Sequence, residues 1–182
     1  MRITTIPLIP KFMSQLDKYT TKLPGVFRKK GGVAGRTINT LAVIDQNDTI
    51  ATRRACHLKA LAVYLNEDPG KLMKEYMDVN CDDAVRDMNQ TVIGIYVAKH
   101  EGADVDDPPE DIGIVVEGVQ VLQDLKDVAN ACALLFGIMY CLNLSYPSDL
   151  KYTFEFLQKI LMELDVHRLS NKIQILKNKL LA

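Results

Sequence analysis

The chain has 182 residues, a formal net charge of −1, 48% hydrophobic and 25% charged residues. That composition is ordinary for a globular chain and argues against disorder, and the length suits one domain that buries a core without a metal or disulfide. The near-zero net charge hides a strong asymmetry. Residues 1–40 carry eight Lys/Arg against one acid, residues 41–150 eight against nineteen, and residues 151–182 six against three. Such a pattern has three readings: an internal charge match, a head-to-tail self-contact, or an anionic partner for the N-terminal part.

The N-terminus MRITTIPLIPKF has a short apolar run broken by Pro7 and Pro10, which is no signal-peptide core. In residues 11–29, Phe12, Leu16, Tyr19, Leu23 and Val26 recur at helical steps, with Pro24 expected to kink or end the helix. The segment 28-RKKGGVAGRTI-38 follows, and its glycines at 31, 32 and 35 are read as a helix stop. Residues 1–40 are therefore taken as a basic helical segment and 41–182 as an α+β domain ending in a helical pair. Thr40–Ile44 is apolar and too short to assign, and Asp45–Asp48 is turn-like.

Residues 52–66 place Ala55, Leu58, Ala62 and Leu65 on one helical face. In NEDPGKL, Asp68 is a natural N-cap and Pro69 suits the first helical position. That helix is expected to bury Leu72, Met73, Tyr76 and Met77. Residues 91–98, TVIGIYVA, are β-branched and aromatic and read as a strand. After the polar loop 99–111 come 112-IGIVV-116 and 119-VQVL-122, separated by Glu117-Gly118: a hairpin, or a bulged continuous strand. About three antiparallel strands are expected.

Residues 125–142 are almost wholly apolar, a helix buried on most sides; its longest apolar run, 131–142, is too short to span a bilayer. Pro147 then opens a helix with Leu150, Phe154, Leu157, Leu161 and Leu164 in register, and Leu169, Ile173, Leu176 and Leu180 continue the pattern. Matched stripes with a short link suggest an antiparallel pair packed on the apolar helix. The fold class expected is thus α+β, mainly helical, with a small antiparallel sheet and three C-terminal helices.

Chemistry is sparse. A phosphate-binding GxxxxGK[ST] loop would need Gly where Lys30 stands and Lys where Arg36 stands, and would follow a strand. The cluster Arg28, Lys29, Lys30 and Arg36 has two readings: a solvated helix end that complements the helix dipole, which is favoured, or a contact to an anionic partner. Arg53 and Arg54 extend that patch or form the solvated side of the next helix. Asp104, Asp106 and Asp107 lack calcium-loop spacing and are interrupted by Pro108 and Pro109. Cys56, Cys81, Cys132 and Cys141 form no CxxC pair, and Cys56-His57 are helix neighbours whose side chains diverge. Neither GxSxG nor HExxH is present, so no catalytic, cofactor or metal residue is assigned. Cysteine usage points to a reducing, intracellular setting, cytoplasmic or nuclear, with no membrane association. Tyr146, Tyr152 and Phe156 are the candidate partner-helix face; a wider core stripe is the favoured alternative.

The segments 56-CHLKALAVYLNEDPGKLMKEYMD-78 and 112-IGIVVEGVQVLQDLKDVANACALLFGIMYCLNLSYPSDLKYTFEFLQKILMELD-165 resemble the C-terminal region of a lineage-expanded group of fish proteins, some labelled sterile alpha motif domain-containing protein 3-like. The resemblance covers roughly residues 50–181 and brings no activity, cofactor or catalytic residue. The chain itself contains no sterile alpha motif pattern. The function expected is a non-enzymatic protein-interaction or oligomerisation module, with nucleic-acid binding through the basic N-terminal segment as the alternative.

Overall fold

The computed structural model describes residues 7–44, 49–104 and 107–182. The chain opens with α1 (Leu8–Thr20), which buries Phe12 and Leu16. Pro24 does not kink a continuous helix. The chain breaks at residues 21–22 and restarts as α2 (Leu23–Phe27), with Pro24 in the first turn, where a missing N–H costs nothing. Leu23, Val26 and Phe27 of α2 are buried.

The glycine segment needs correction. Gly31 and Gly32 do separate two helices, and Gly32 takes a left-handed φ of 73°. Yet α3 (Gly32–Ile44) begins there, so Gly35, Arg36 and Ile38 are helical, and so is the unassigned run from Thr40. Residues 45–48, read as a turn, lie outside the described residues.

Helix α4 (Ile50–Tyr64) is capped by the Thr49 hydroxyl, which accepts from Thr52 N. Asp68 caps α5 (Pro69–Leu72) through Gly70 N at 2.8 Å. That helix lasts one turn. Residues expected to prolong it form β1 (Met73–Tyr76), so Met73 is buried, Tyr76 half-buried and Met77 exposed. Helix α6 (Asp82–Gln90) then carries the chain to β2 (Ile93–Ala98), which pairs parallel with β1. The hairpin of β3 (Asp111–Val116) and β4 (Val119–Leu122) completes a mixed sheet in the order β1-β2-β3-β4. The sheet thus has one strand more than expected, and that strand makes it mixed. Glu117 and Gly118 both have positive φ (49° and 76°), as the favoured two-residue hairpin turn demands. A Cβ on Gly118 would lie 2.5 Å from Asn89 O, so glycine is required twice over. The bulge sits at Ile114/Val115 and not at the turn.

All six β2 residues are buried, because the sheet is covered on both faces. Ile93, Ile95, Val97, Ile112 and Ile114 face the main core, while Tyr96 and Val115 meet Ala84 and Met88 of α6 on the other side. Helix α7 (Val128–Cys141), capped by Asp127 through Asn130 N, lies against β2 and β3 and also against α1 and α4. Its apolar character all round follows from that central place.

The last third starts with a 3₁₀ turn (Ser148–Leu150), continues as α8 (Lys151–Phe156) and ends in a π-helical turn (Leu157–Leu161). After a link comes α9 (Asn171–Leu181), whose Ile173, Leu176 and Leu180 are buried as the spacing predicts. The pair does not use α7 as its main support: α8 packs on α4 and α9, and α9 on α2. Phe12, Leu16, Leu23, Val26 and Phe27 share one core cluster with the sheet and α7–α9, so the described part of residues 1–40 is integral to the domain.

Candidate interaction surfaces

Basic residues of the two chain ends meet. Arg28, Lys29 and Arg36 are exposed, and among the described residues none has a carboxylate partner. Lys30 stands over the Tyr64 ring at 5.1 Å, and Lys179 of α9 approaches the same ring at 5.8 Å and donates to its hydroxyl at 3.2 Å. Lys22 donates to Leu180 O at 3.0 Å. Seven residues back along α9, about two turns, Lys172 sits 4.2 Å from the Tyr152 ring and donates to Leu65 O, while Lys151 lies 4.7 Å from the same ring. Two tyrosines thus each hold two lysines, and α9 links them into one basic seam.

The other predicted residues sort differently. Arg54 does not extend this patch: it clamps Asp17 of α1 with two bonds of 2.8 and 2.6 Å. The Arg54 guanidinium holds the Asp17 carboxyl below the usual carboxylate range. Phe156 is fully buried, edge-on to Tyr19 at 6.1 Å, and so belongs to the core. Tyr146 stacks on Phe154 at 5.0 Å and donates to Gln158 Oε1 at 2.7 Å, which anchors a loop and leaves little ring for a partner. Tyr146, Tyr152 and Phe156 therefore do not form one partner face; of the three, Tyr152 joins the basic seam. In the acidic loop, Asp104 N donates to Asp107 Oδ2, and Asp106 lies outside the described residues.

Among the described residues, two concavities border the sheet. A cleft of about 740 Å³ is bounded by Lys71, Thr91 and Glu117 and by the 144–150 turn. A more open hollow of about 590 Å³ lies beside β1, with Asp78, Asp83, Glu101 and exposed Met77 on its walls. Lys74, Tyr76 and Asp87 separate the two. Lys74 and Tyr76, on one face of β1, both bond the same Asp87 oxygen. The Lys74 ammonium and then the Tyr76 hydroxyl lower the Asp87 carboxyl, and burial and the Asp87 hydrogen bond push the Tyr76 phenol up. A tyrosine so held is a poor acid at neutral pH, and the trio works as a clamp between β1 and α6. The sequence signal for it, the alternation of Lys74 and Tyr76, is visible only once 73–76 is read as a strand.

Charge is segregated across α4. On one side Lys59 pairs with Glu75 of β1 at 2.9 Å. Tyr64, five residues on and so about 140° round the helix, faces α2 and α9 with its lysines. His57 is buried on α4, with Nδ1 donating to Arg53 O at 2.7 Å. Among the described residues there is no group of three His, Cys, Asp or Glu side chains able to hold a metal, and no helix long and apolar enough to cross a membrane. No family model matches the chain, and no curated protein or solved structure is significantly similar to it.

Proposed function

We propose that the protein is a non-enzymatic interaction and oligomerisation module that recognises its partner electrostatically. The observation that carries this reading is the separation of charge within one nearly neutral chain. Exposed cations without carboxylate partners gather on the α2–α9 side, and carboxylates gather round the hollow beside β1. Unpaired surface charge of one sign contributes little to folding but speeds and orients association. The test is sedimentation velocity across ionic strength. Assembly at about 50 mM salt that dissolves at about 500 mM supports it, since surface charges are screened within about 4 Å at the higher value. A strict monomer at low salt and high concentration refutes it.

A second reading, nucleic-acid binding, is favoured by the extension of the basic cluster along α9. It requires retardation of generic DNA or RNA with a steep salt slope, lost on charge reversal at Arg28, Lys29, Lys30 and Arg36.

A further inference from the structure

The basic seam and the acidic hollow are different surfaces of the same chain, and neither suits a copy of itself. Two seams brought together would oppose lysine to lysine, and two hollows carboxylate to carboxylate, which disfavours a two-fold symmetric contact. A seam against a hollow pairs opposite charges. We propose that copies of this chain join head to tail, the seam of one (Arg28, Lys29, Lys179) seated on the hollow of the next (Asp78, Asp83, Glu101). The inference rests on the self-association reading and names its geometry.

Three observations favour a second copy over another anionic occupant. The net charge is −1, so two whole molecules do not repel at long range. The hollow is concave, about 590 Å³, and its Asp78, Asp83 and Glu101 are exposed; Asp83 has Arg86 3.3 Å away, and Lys74 of the same lining is held by Asp87, so the acids outnumber the free cations there. Met77, 47% exposed, supplies an apolar contact within it, which the aliphatic stems of lysine can cover. A heterologous contact of this kind has no built-in stopping point: unless its rotation closes a ring, it propagates into open chains. Assembly therefore grows with concentration and does not stop at a dimer.

The test uses two charge-neutralised full-length chains. One carries Arg28→Gln, Lys29→Gln and Lys179→Gln; the other carries Asp78→Asn, Asp83→Asn and Glu101→Gln. All six positions are exposed, and unchanged thermal unfolding of each variant serves as the folding control. Each variant alone is expected to sediment as a monomer, because each lacks one of the two required faces. Mixed in equal amounts, they retain one intact seam and one intact hollow. The mixture is expected to give a species of twice the monomer mass and nothing larger, dispersed by salt. A mixture that stays monomeric while the wild type assembles overturns the head-to-tail geometry and leaves self-association standing. A hollow variant that assembles like the wild type overturns it too. A wild type that is monomeric alone but shifts on added nucleic acid overturns both this geometry and the self-association reading.

Discussion

Glu67 reaches across 85 positions of sequence to cap α8. Its Oε1 accepts from Tyr152 N at 2.8 Å; its Oε2 accepts from Thr153 N at 2.8 Å and from the Thr153 hydroxyl at 2.6 Å. Thr153 is fully buried, so neither of its donors can turn to water if the carboxylate is removed. An orphaned buried donor costs about 1–3 kcal/mol, and loss of a helix cap about 1 kcal/mol. Tyr152 is only half-buried, and its N–H recovers part of its bond from solvent. Glu67→Ala is therefore expected to cost about 3–4 kcal/mol. In a chain of this size that lowers Tm by roughly 10 °C. Glu67→Gln keeps one oxygen but points an N–H at a donor, and about half of the loss is expected. Thr153→Val alone removes the hydroxyl and about 1–2 kcal/mol. Combined with Glu67→Ala it should cost less than the sum, because both substitutions delete the same 2.6 Å bond. Denaturant melts at constant slope measure all four proteins. A loss below about 1 kcal/mol for Glu67→Ala would refute the cap as a stabilising contact.

Other outcomes follow from the same reasoning. Gly113→Ala would place a Cβ 2.4 Å from both the Tyr96 ring and Leu122 O, so it should destabilise by about 2 kcal/mol or more in the same melts; a neutral effect would refute this packing. Cys132 is fully buried, and burial pushes its thiol up to about 12, while Cys81 and Cys141 are exposed. A thiol reagent at pH 8 should label Cys81 and Cys141 quickly and reach Cys56 and Cys132 only on unfolding; early labelling of Cys132 would contradict its placement. Tyr76 and Tyr96 have folded-state phenols raised above the ordinary value of 10 by burial and by bonds to Asp87 and Asp111. Their contribution to stability is complete below pH 10 and fades as pH rises beyond it, because the unfolded chain loses those protons first. Asp17 and Asp87 are lowered, so their contribution is complete above the ordinary carboxylate value and fades as pH falls through their folded values. Stability measured against pH should be a plateau with an acid and an alkaline shoulder. The alkaline shoulder should weaken in Tyr96→Phe.

Much of this architecture is legible in the sequence because local and global preferences agree. The β-branched run of β2, the hairpin of β3 and β4, the apolar α7 and the stripe of α9 all follow their periodicity. Where the reading fails, tertiary context outweighs propensity. Met73, Lys74 and Glu75 are good helix formers, and the Asp68–Pro69 signal for a helix start is genuine; pairing with β2 claims the segment after one turn. Helix α6 shows only Ala84 and Met88 as buried apolar residues, too thin a stripe to stand out beside its acids. The glycines at 31, 32 and 35 suggested a longer break than the structure makes, because Gly35 is accommodated inside α3. The candidate surface is harder still. Arg28, Lys29, Lys30 and Arg36 are a visible cluster, but their companions Tyr64 and Lys179 lie far along the chain, and only the packing of α2 and α9 brings them together.

That packing also has a consequence in time. Lys22 bonds a carbonyl 158 residues away, and α9 supplies Ile173, Leu176 and Leu180 to the core that α1 and α2 share. During synthesis the N-terminal helices emerge first, yet the surface they need arrives last. Until α9 appears, Leu23, Val26 and Phe27 lack one of their walls, and such long-range closure slows folding. A ribosome-bound nascent chain that ends before residue 171 should therefore hold its first two helices loosely, exposed to proteases and chaperones, and the domain should become resistant only as its final helix docks.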